Sequence, residues 1–198
     1  MVLAPRDPHS YAGHRVTTDC PLVLGETGPL EYTLTGTPAD CVRLGLSTLF
    51  PDVDWVLAGI NRGGNLGADV FTSGTVAAVR EAALLGRPGM AVSQYIRKGV
   101  PLDWERSGEL VLPVLERLIR EGCPPKGYWN VNLPHLDPGQ KTVVVDCDPD
   151  NEPLDVRFRR EGDCFHYAGS YPARRKTPGR DVEHCFGGAI TVSCLRLS

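Results

Sequence analysis

No apolar run in this 198-residue chain approaches the length needed to cross a bilayer, and Val143-Val144-Val145 is typical of its longest. The opening Met1-Val2-Leu3-Ala4-Pro5-Arg6 lacks the charged segment and long apolar core of a secretory signal, so the chain reads as cytoplasmic. No C-x-x-C pair occurs among its seven cysteines. Their odd count and irregular spacing support neither a disulfide framework nor a zinc cage, which leaves reduced thiols packed as small apolar groups. A net charge of −3 excludes a general pull toward nucleic acid or anionic membrane. Internal repeats, low-complexity tracts and the G-x-S-x-G elbow of a serine hydrolase are also missing.

What is present is the composition of an ordinary globular domain, 41% hydrophobic and 23% charged. Val2-Leu3-Ala4 and Tyr32-Thr33-Leu34-Thr35 have strand chemistry, with a polar loop after the first. Thr37 as N-cap, Pro38 at the first helical position and Asp40 three residues on predict a helix from Pro38 to about Leu49, largely buried. Asp54-Trp55-Val56-Leu57-Ala58 is an unalternating apolar strand of the kind covered on both faces. A helix from about Gly74 to Leu85, capped at Gly86, precedes the strand Gly89–Ser93. Apolar residues recur at helical spacing between Asp103 and Glu121, where Pro113 predicts a kink or a late start, and Trp129–Pro134 is a further strand. This alternation predicts an α/β, Rossmann-like three-layer sandwich over residues 1–136. Residues 137–198 read as a β-rich extension built from Val143–Val145, Val156–Phe158, Phe165–Tyr167 and Ala189–Val192, the last returning to the main body.

The chemistry concentrates between Leu57 and Thr75. An apolar strand runs into Gly59-Ile60-Asn61-Arg62-Gly63-Gly64-Asn65-Leu66-Gly67, and Ser73-Gly74-Thr75 opens the next helix. Glycines let backbone N–H groups approach an anion, asparagine carbonyls reach a cation, and a helix N-terminus faces negative charge. The stretch therefore reads as a phosphate site with room for a metal. No carboxylate pair is visible beside it to hold that metal.

These segments, in order, resemble the SurE (survival protein E) family. The residues concerned are Val2-Leu3-Ala4-Pro5 with Ser10 and Gly13-His14, Gly36 to Val42, Gly59 to Gly67, Ser73 to Val76, and Asn130-Val131-Asn132-Leu133-Pro134. The resemblance implies a metal-dependent phosphomonoesterase of the 5′-nucleotidase type, acting on nucleoside 5′- and 3′-monophosphates or other small phosphate esters. It implies a homo-oligomer, dimer or tetramer, joined through the C-terminal part. By the same resemblance Ser10 and Asn61 correspond to ligands of a divalent cation (Mg²⁺ or Mn²⁺), and Asn65, Ser73, Gly74 and Thr75 to the phosphate cradle. The family's two adjacent metal-binding aspartates have no counterpart, because the chain opens on what resembles the family's second strand. Little or no turnover is therefore expected of this chain, and a non-catalytic phosphate- or nucleotide-binding relative or interaction module is the alternative. No residue is assigned as catalytic.

Each candidate has a plainer reading. Asn61 can serve only a tight turn, and Ser73 can be only a helix cap, a role compatible with phosphate binding. His14 is either an acid or a hydrogen-bonded bystander. Asp40 reads as a cap residue, and Asp7 and Asp69 as solvated charges. Asn130 and Asn132 flank Val131, and which of them faces the site is left open. Arg157, Arg159, Arg160, Arg174, Arg175, Lys176 and Arg180 read as a solvated face, with steering of a phosphate as the competing account. The net acidity of the chain argues against nucleic acid as a partner.

Overall fold

A computed structural model describes residues 1–197. Its centre is a five-stranded sheet of order β4-β5-β6-β10-β7, comprising β4 (Val56–Arg62), β5 (Gly89–Gln94), β6 (Gly127–Leu133), β7 (Val144–Asp146) and β10 (Ile190–Arg196). β4, β5 and β6 are parallel, β10 runs antiparallel to β6, and β7 is parallel to β10. Met90, Val92, Val131, Leu133, Ile190 and Val192 on one face pack against Val111, Val114 and Leu118 of α3 (Trp104–Glu121). The other face meets α2 (Gly74–Leu84), where Val76 and Val79 cover Ala91 and Tyr128, and α1 (Pro38–Leu44) lies against α2. This is the three-layer α/β arrangement expected. No helix among the described residues is long and apolar enough to cross a membrane.

The helix signals hold with local amendments. Thr37 and Asp40 form a reciprocal capping box, as read from sequence. Beyond Leu44 the helix widens into a π turn over Gly45–Leu49, closed by the Phe50 N–H on the Gly45 carbonyl at 2.7 Å. α3 runs unbroken through Pro113, so the late start is not observed. Pro113 sits on the exposed side, where water can replace the hydrogen bond it removes. β2 (Leu24–Gly28) was not anticipated; it forms an antiparallel hairpin with β3 (Glu31–Leu34).

The short sheet has the order β1-β3-β2, with β1 (Val2–Pro5) parallel to β3. Among the described residues neither the second edge of β1 nor that of β4 is paired. Both edges line one groove of about 600 Å³, floored by Cys41, Val42 and Leu46 and reaching Thr75 and Ala78. That groove corrects the reading of the Pro38–Leu49 segment as largely buried. Val42 and Leu46, which line the groove, are only half-buried because no strand covers them, and Leu44 is half-buried too.

Within residues 137–198, β7, β10 and α4 (Asp181–Phe186) join the main body, and α4 went unread in the sequence. Only the hairpin of β8 (Phe158–Glu161) and β9 (Cys164–Tyr167) stands apart as its own two-stranded sheet. The seven cysteines are all unpaired, and burial raises the thiol of Cys41 to about 12 and that of Cys147 to about 11, which keeps both protonated.

Candidate functional site

β4 continues through Gly59 and Ile60 to Arg62, so Asn61 belongs to the strand end and not to the turn after it. A register shift between Ala58 and Asn61 restores pairing, with Asn61 opposite Ser93 and Arg62 opposite Gln94. The Asn61 Nδ2 donates to the Gly63 carbonyl at 2.8 Å, a tight-turn bond that leaves its Oδ1 as a neutral acceptor or ligand oxygen.

Asn65 is the keystone of the loop that follows. Its backbone N–H donates to Asn132 Oδ1 at 2.8 Å and its Nδ2 to Ser93 Oγ at 2.6 Å. Its carbonyl accepts from Asn130 Nδ2 at 2.9 Å and Asn132 Nδ2 at 3.1 Å. Both β6 asparagines therefore face the loop, which resolves the alternative left open by sequence. These bonds suspend the glycine loop from the carboxyl ends of β5 and β6, the customary ligand crevice of an open α/β sheet.

Ser73 caps α2, its Oγ accepting from the Val76 N–H at 3.1 Å. As the first two helical residues, Gly74 and Thr75 have amides with no intrahelical acceptor. A short 3₁₀ turn, Gly67–Phe71, ties this mouth to the glycine loop through the Ser73 N–H on the Asp69 carbonyl at 3.0 Å. The segment carrying Ser10 crosses the same helix mouth. A side chain on Gly74 would meet the His9 carbonyl at 3.5 Å, and the Gly13 N–H donates to the Thr72 carbonyl at 2.9 Å.

The segment carrying Ser10 thus passes beside Ser73, Gly74 and Thr75, and Asn61, Asn65 and Ser93 form a second group. Thr75 of the first group and Ile60, next to Asn61 of the second, both line the groove that Pro5 also borders. Among the described residues no hydrogen bond joins Ser10 to Asn61.

The Ser10 segment is fastened from below. His14 Nε2 lies 2.7 Å from Glu81 Oε2, and Arg43 Nε donates to Glu81 Oε1 at 2.6 Å. His14 is hydrogen-bonded to a buried carboxylate, an arrangement compatible with either of its two readings. Asp40 accepts from the Thr17 and Thr37 N–H groups at 2.8 and 2.9 Å and from the Thr17 hydroxyl at 2.8 Å. Burial alone would raise the Asp40 carboxyl, but these bonds outweigh it and hold the carboxyl below its ordinary value of 3.8. A depressed carboxyl stabilises the fold fully above the unfolded value. Stability linked to Asp40 should therefore be complete above pH ~4 and drain away as pH falls through the depressed folded value. Urea titrations between pH 2 and 6 on the parent and Asp40→Asn measure this: the parent should lose more stability on acidification than the variant.

Asp69 departs from its reading as a solvated charge. Its carboxylate accepts from Arg174 at 2.6 and 3.0 Å and from the Tyr171 hydroxyl at 2.9 Å. Most of the basic cluster is the solvated face read from sequence, with Arg157, Arg159, Arg160, Arg175 and Lys176 exposed, and Arg174 is the exception. Arg174 is nearly buried, and Arg157, Arg159 and Arg180 pair with Asp155, Glu161 and Asp148. With its charge answered locally, the cluster has little left for long-range steering.

A divalent cation can be tested against these donors. Ser10 and Asn61 offer neutral oxygens, which cannot by themselves offset the dehydration of Mg²⁺ or Mn²⁺. Asp40 and Asp69 are committed, Asp7 is exposed beside Arg6, and no group of three His, Cys, Asp or Glu that could hold a metal ion occurs among the described residues. The residues described do not fit the cation unaided.

The family model described as "Survival protein SurE" matches residues 1–148. The chain belongs to the SurE family. Among SurE relatives, a Nostoc protein named "Putative 5'-nucleotidase alr3139" is 47% identical over 198 residues, covering 100% of this chain and 88% of its own. The "5'-nucleotidase SurE" of Paramagnetospirillum magneticum is 35% identical over 201 residues, covering 98% and 77%. The crystal structure of the SurE protein from Aquifex aeolicus superposes with a TM-score of 0.86 at 30% identity, covering 99% of this chain and 82% of that one. Sequence reading missed Ser93 and Tyr171 and took Arg174 only as part of the basic cluster, since none of the three lies in a motif beside the glycine loop. The sole hint was a lone Asp69 set against a distant run of basic residues.

Proposed function

We propose that this SurE-family chain is a phosphomonoesterase-type protein that takes a nucleoside monophosphate, or a similar small phosphate ester, at the mouth of α2. The observation that supports it is the suspension of the glycine loop by Asn65, Ser93, Asn130 and Asn132 beside the unpaired amides of Gly74 and Thr75. Those amides and the hydroxyls of Ser73 and Thr75 would bind the phosphoryl oxygens and favour their charge. Asn65 acts mainly by holding the loop in place, since its main-chain groups and Nδ2 are already engaged. Ser10 crosses the mouth and would border the ester. The family expectation of Mg²⁺ or Mn²⁺, with Ser10 and Asn61 as neutral ligands, needs a carboxylate that the described residues do not place there.

That shortage favours a second reading, a binder of nucleotide with little turnover. Calorimetry with AMP and inorganic phosphate, and a release assay with added Mn²⁺, separate the two. Binding that survives a chelator without turnover supports the binder, and Mn²⁺-dependent phosphate release supports the enzyme. Neither binding nor release would end both readings. Ser73→Ala should weaken phosphate binding by about tenfold, the order expected for one hydrogen bond to a charged group.

We also read the chain as a homo-oligomer, dimer or tetramer, in a reducing, cytoplasmic setting. The β8–β9 hairpin leaves Phe158, Phe165 and Tyr167 all more than half exposed on an isolated two-stranded ribbon, an arrangement that is marginal in water without a covering partner.

A further inference from the structure

We infer that Arg174 and Tyr171 are positioning residues for the phosphate loop, acting through Asp69; this rests on the phosphate reading above. The glycine loop is held in two halves. Asn65 hangs from β5 and β6, whereas the half beyond it is held by the C-terminal segment. The Gly67 N–H donates to Asp181 Oδ2 at 2.8 Å. Arg174 grips Asp69 through two nitrogens, at 2.6 and 3.0 Å, and also reaches the Leu66 carbonyl at 3.4 Å. The Tyr171 hydroxyl lies 2.9 Å from Asp69 Oδ2 and 3.2 Å from the Gly64 carbonyl. The Arg174 guanidinium stacks 4.6 Å from the centre of the Tyr171 ring, so each side chain fixes the other.

The clamp does two things for an anion. It orders the backbone between Gly64 and Asp69, whose carbonyl receives the Ser73 N–H at the helix mouth. It also neutralises the carboxylate nearest in sequence to that mouth, which would otherwise repel a phosphate. Only a planar, bidentate donor does both.

The test combines hydrogen exchange with calorimetry on Arg174→Met, Arg174→Lys and Tyr171→Phe. Amides of residues 63–70 should exchange about tenfold faster in Arg174→Met, while those of β5, β6 and α3 keep the parent rates. AMP should bind about tenfold or more weakly, since the lost contact is a charge-assisted pair. Arg174→Lys should recover part of the affinity, and Asp69→Asn added to Arg174→Met should recover the share owed to the bare charge. Tyr171→Phe keeps the ring, serves if Arg174→Met does not fold, and should loosen the same segment to a smaller degree. Faster exchange spread over the whole sheet, or AMP binding unchanged by Arg174→Met, would overturn the clamp. No AMP binding by the parent chain would instead sink the phosphate reading beneath it.

Discussion

Gly59→Ala should cost the chain about 3–5 kcal/mol, the sum of overpacking and left-handed backbone strain, out of a total that for a typical domain is 5–15 kcal/mol. Gly59 sits at φ +133°, and a methyl group there would be driven into the carbonyl oxygen of Val92 and to within 3.1 Å of its carbon. Neither partner can yield. The Val92 carbonyl belongs to β5, whose side chains are fully buried, and Gly59 lies inside the register shift that lets β4 carry Asn61 opposite Ser93. Gly86→Ala is the control. That glycine also has positive φ, +75°, but nothing lies within 4 Å of the added carbon, so the cost should be about 1 kcal/mol. Urea denaturation of the two variants beside the parent measures both. Equal midpoints for Gly59→Ala and Gly86→Ala would refute the close-approach argument.

The second large effect is expected at Glu81, only 1% exposed on α2. Its two oxygens hold Arg43 and His14 at 2.6 and 2.7 Å, bridging α1, α2 and the segment that carries Ser10. Glu81→Leu fills the space but leaves the Arg43 guanidinium and the His14 ring without the carboxylate they share. Arg43 is about half exposed and can turn to water, whereas His14 is at 22% and less able to do so. A loss of about 2–4 kcal/mol follows, below the full cost of breaking a wholly buried pair. Exchange of amides 9–17 should rise more than that of β5 or β6, because the Ser10 segment loses an anchor on the helices. His14→Ala, which removes one of the two bonds and leaves Arg43 in place, should cost less. If His14→Ala proved as damaging as Glu81→Leu, the bridging role assigned to the carboxylate would be wrong.

Much of the frame was legible because its signals are local. Thr37, Pro38 and Asp40 announce α1 through groups within one turn of each other, and Ser73 announces α2 in the same way. The apolar stretches at β5 and β6 reveal themselves by lacking alternation, as strands covered on both faces must. β4 reads the same way but is an edge strand with Leu57 more than half exposed, which corrects its reading as a strand covered on both faces. The glycine loop likewise carries its own chemistry. Where reading failed, the cause was distance along the chain. By sequence β4 stops at Ala58, because its continuation through Gly59 depends on room left by Val92, more than thirty positions away. The Pro38–Leu49 segment reads as largely buried because its composition cannot reveal that the neighbouring strand edges stand open.

The candidate site divides along the same line. Asn61, Asn65, Ser73, Gly74 and Thr75 could be named from sequence, since their residue types and spacing suit an anion. Which of them bind and which brace could not. Asn65 turns out to be tied to three other side chains, two on β6 and one on β5, and Asp69 to a guanidinium 105 positions later. Short-range hydrogen bonding and capping are settled by neighbours a few residues apart, so the amino-acid order determined the helices, the strands and the anion-suited loop. Pairing of charges, closure of edges and close approach of backbones need chain segments brought together from far apart, so only the tertiary structure decided how that loop is held and what is left free to bind.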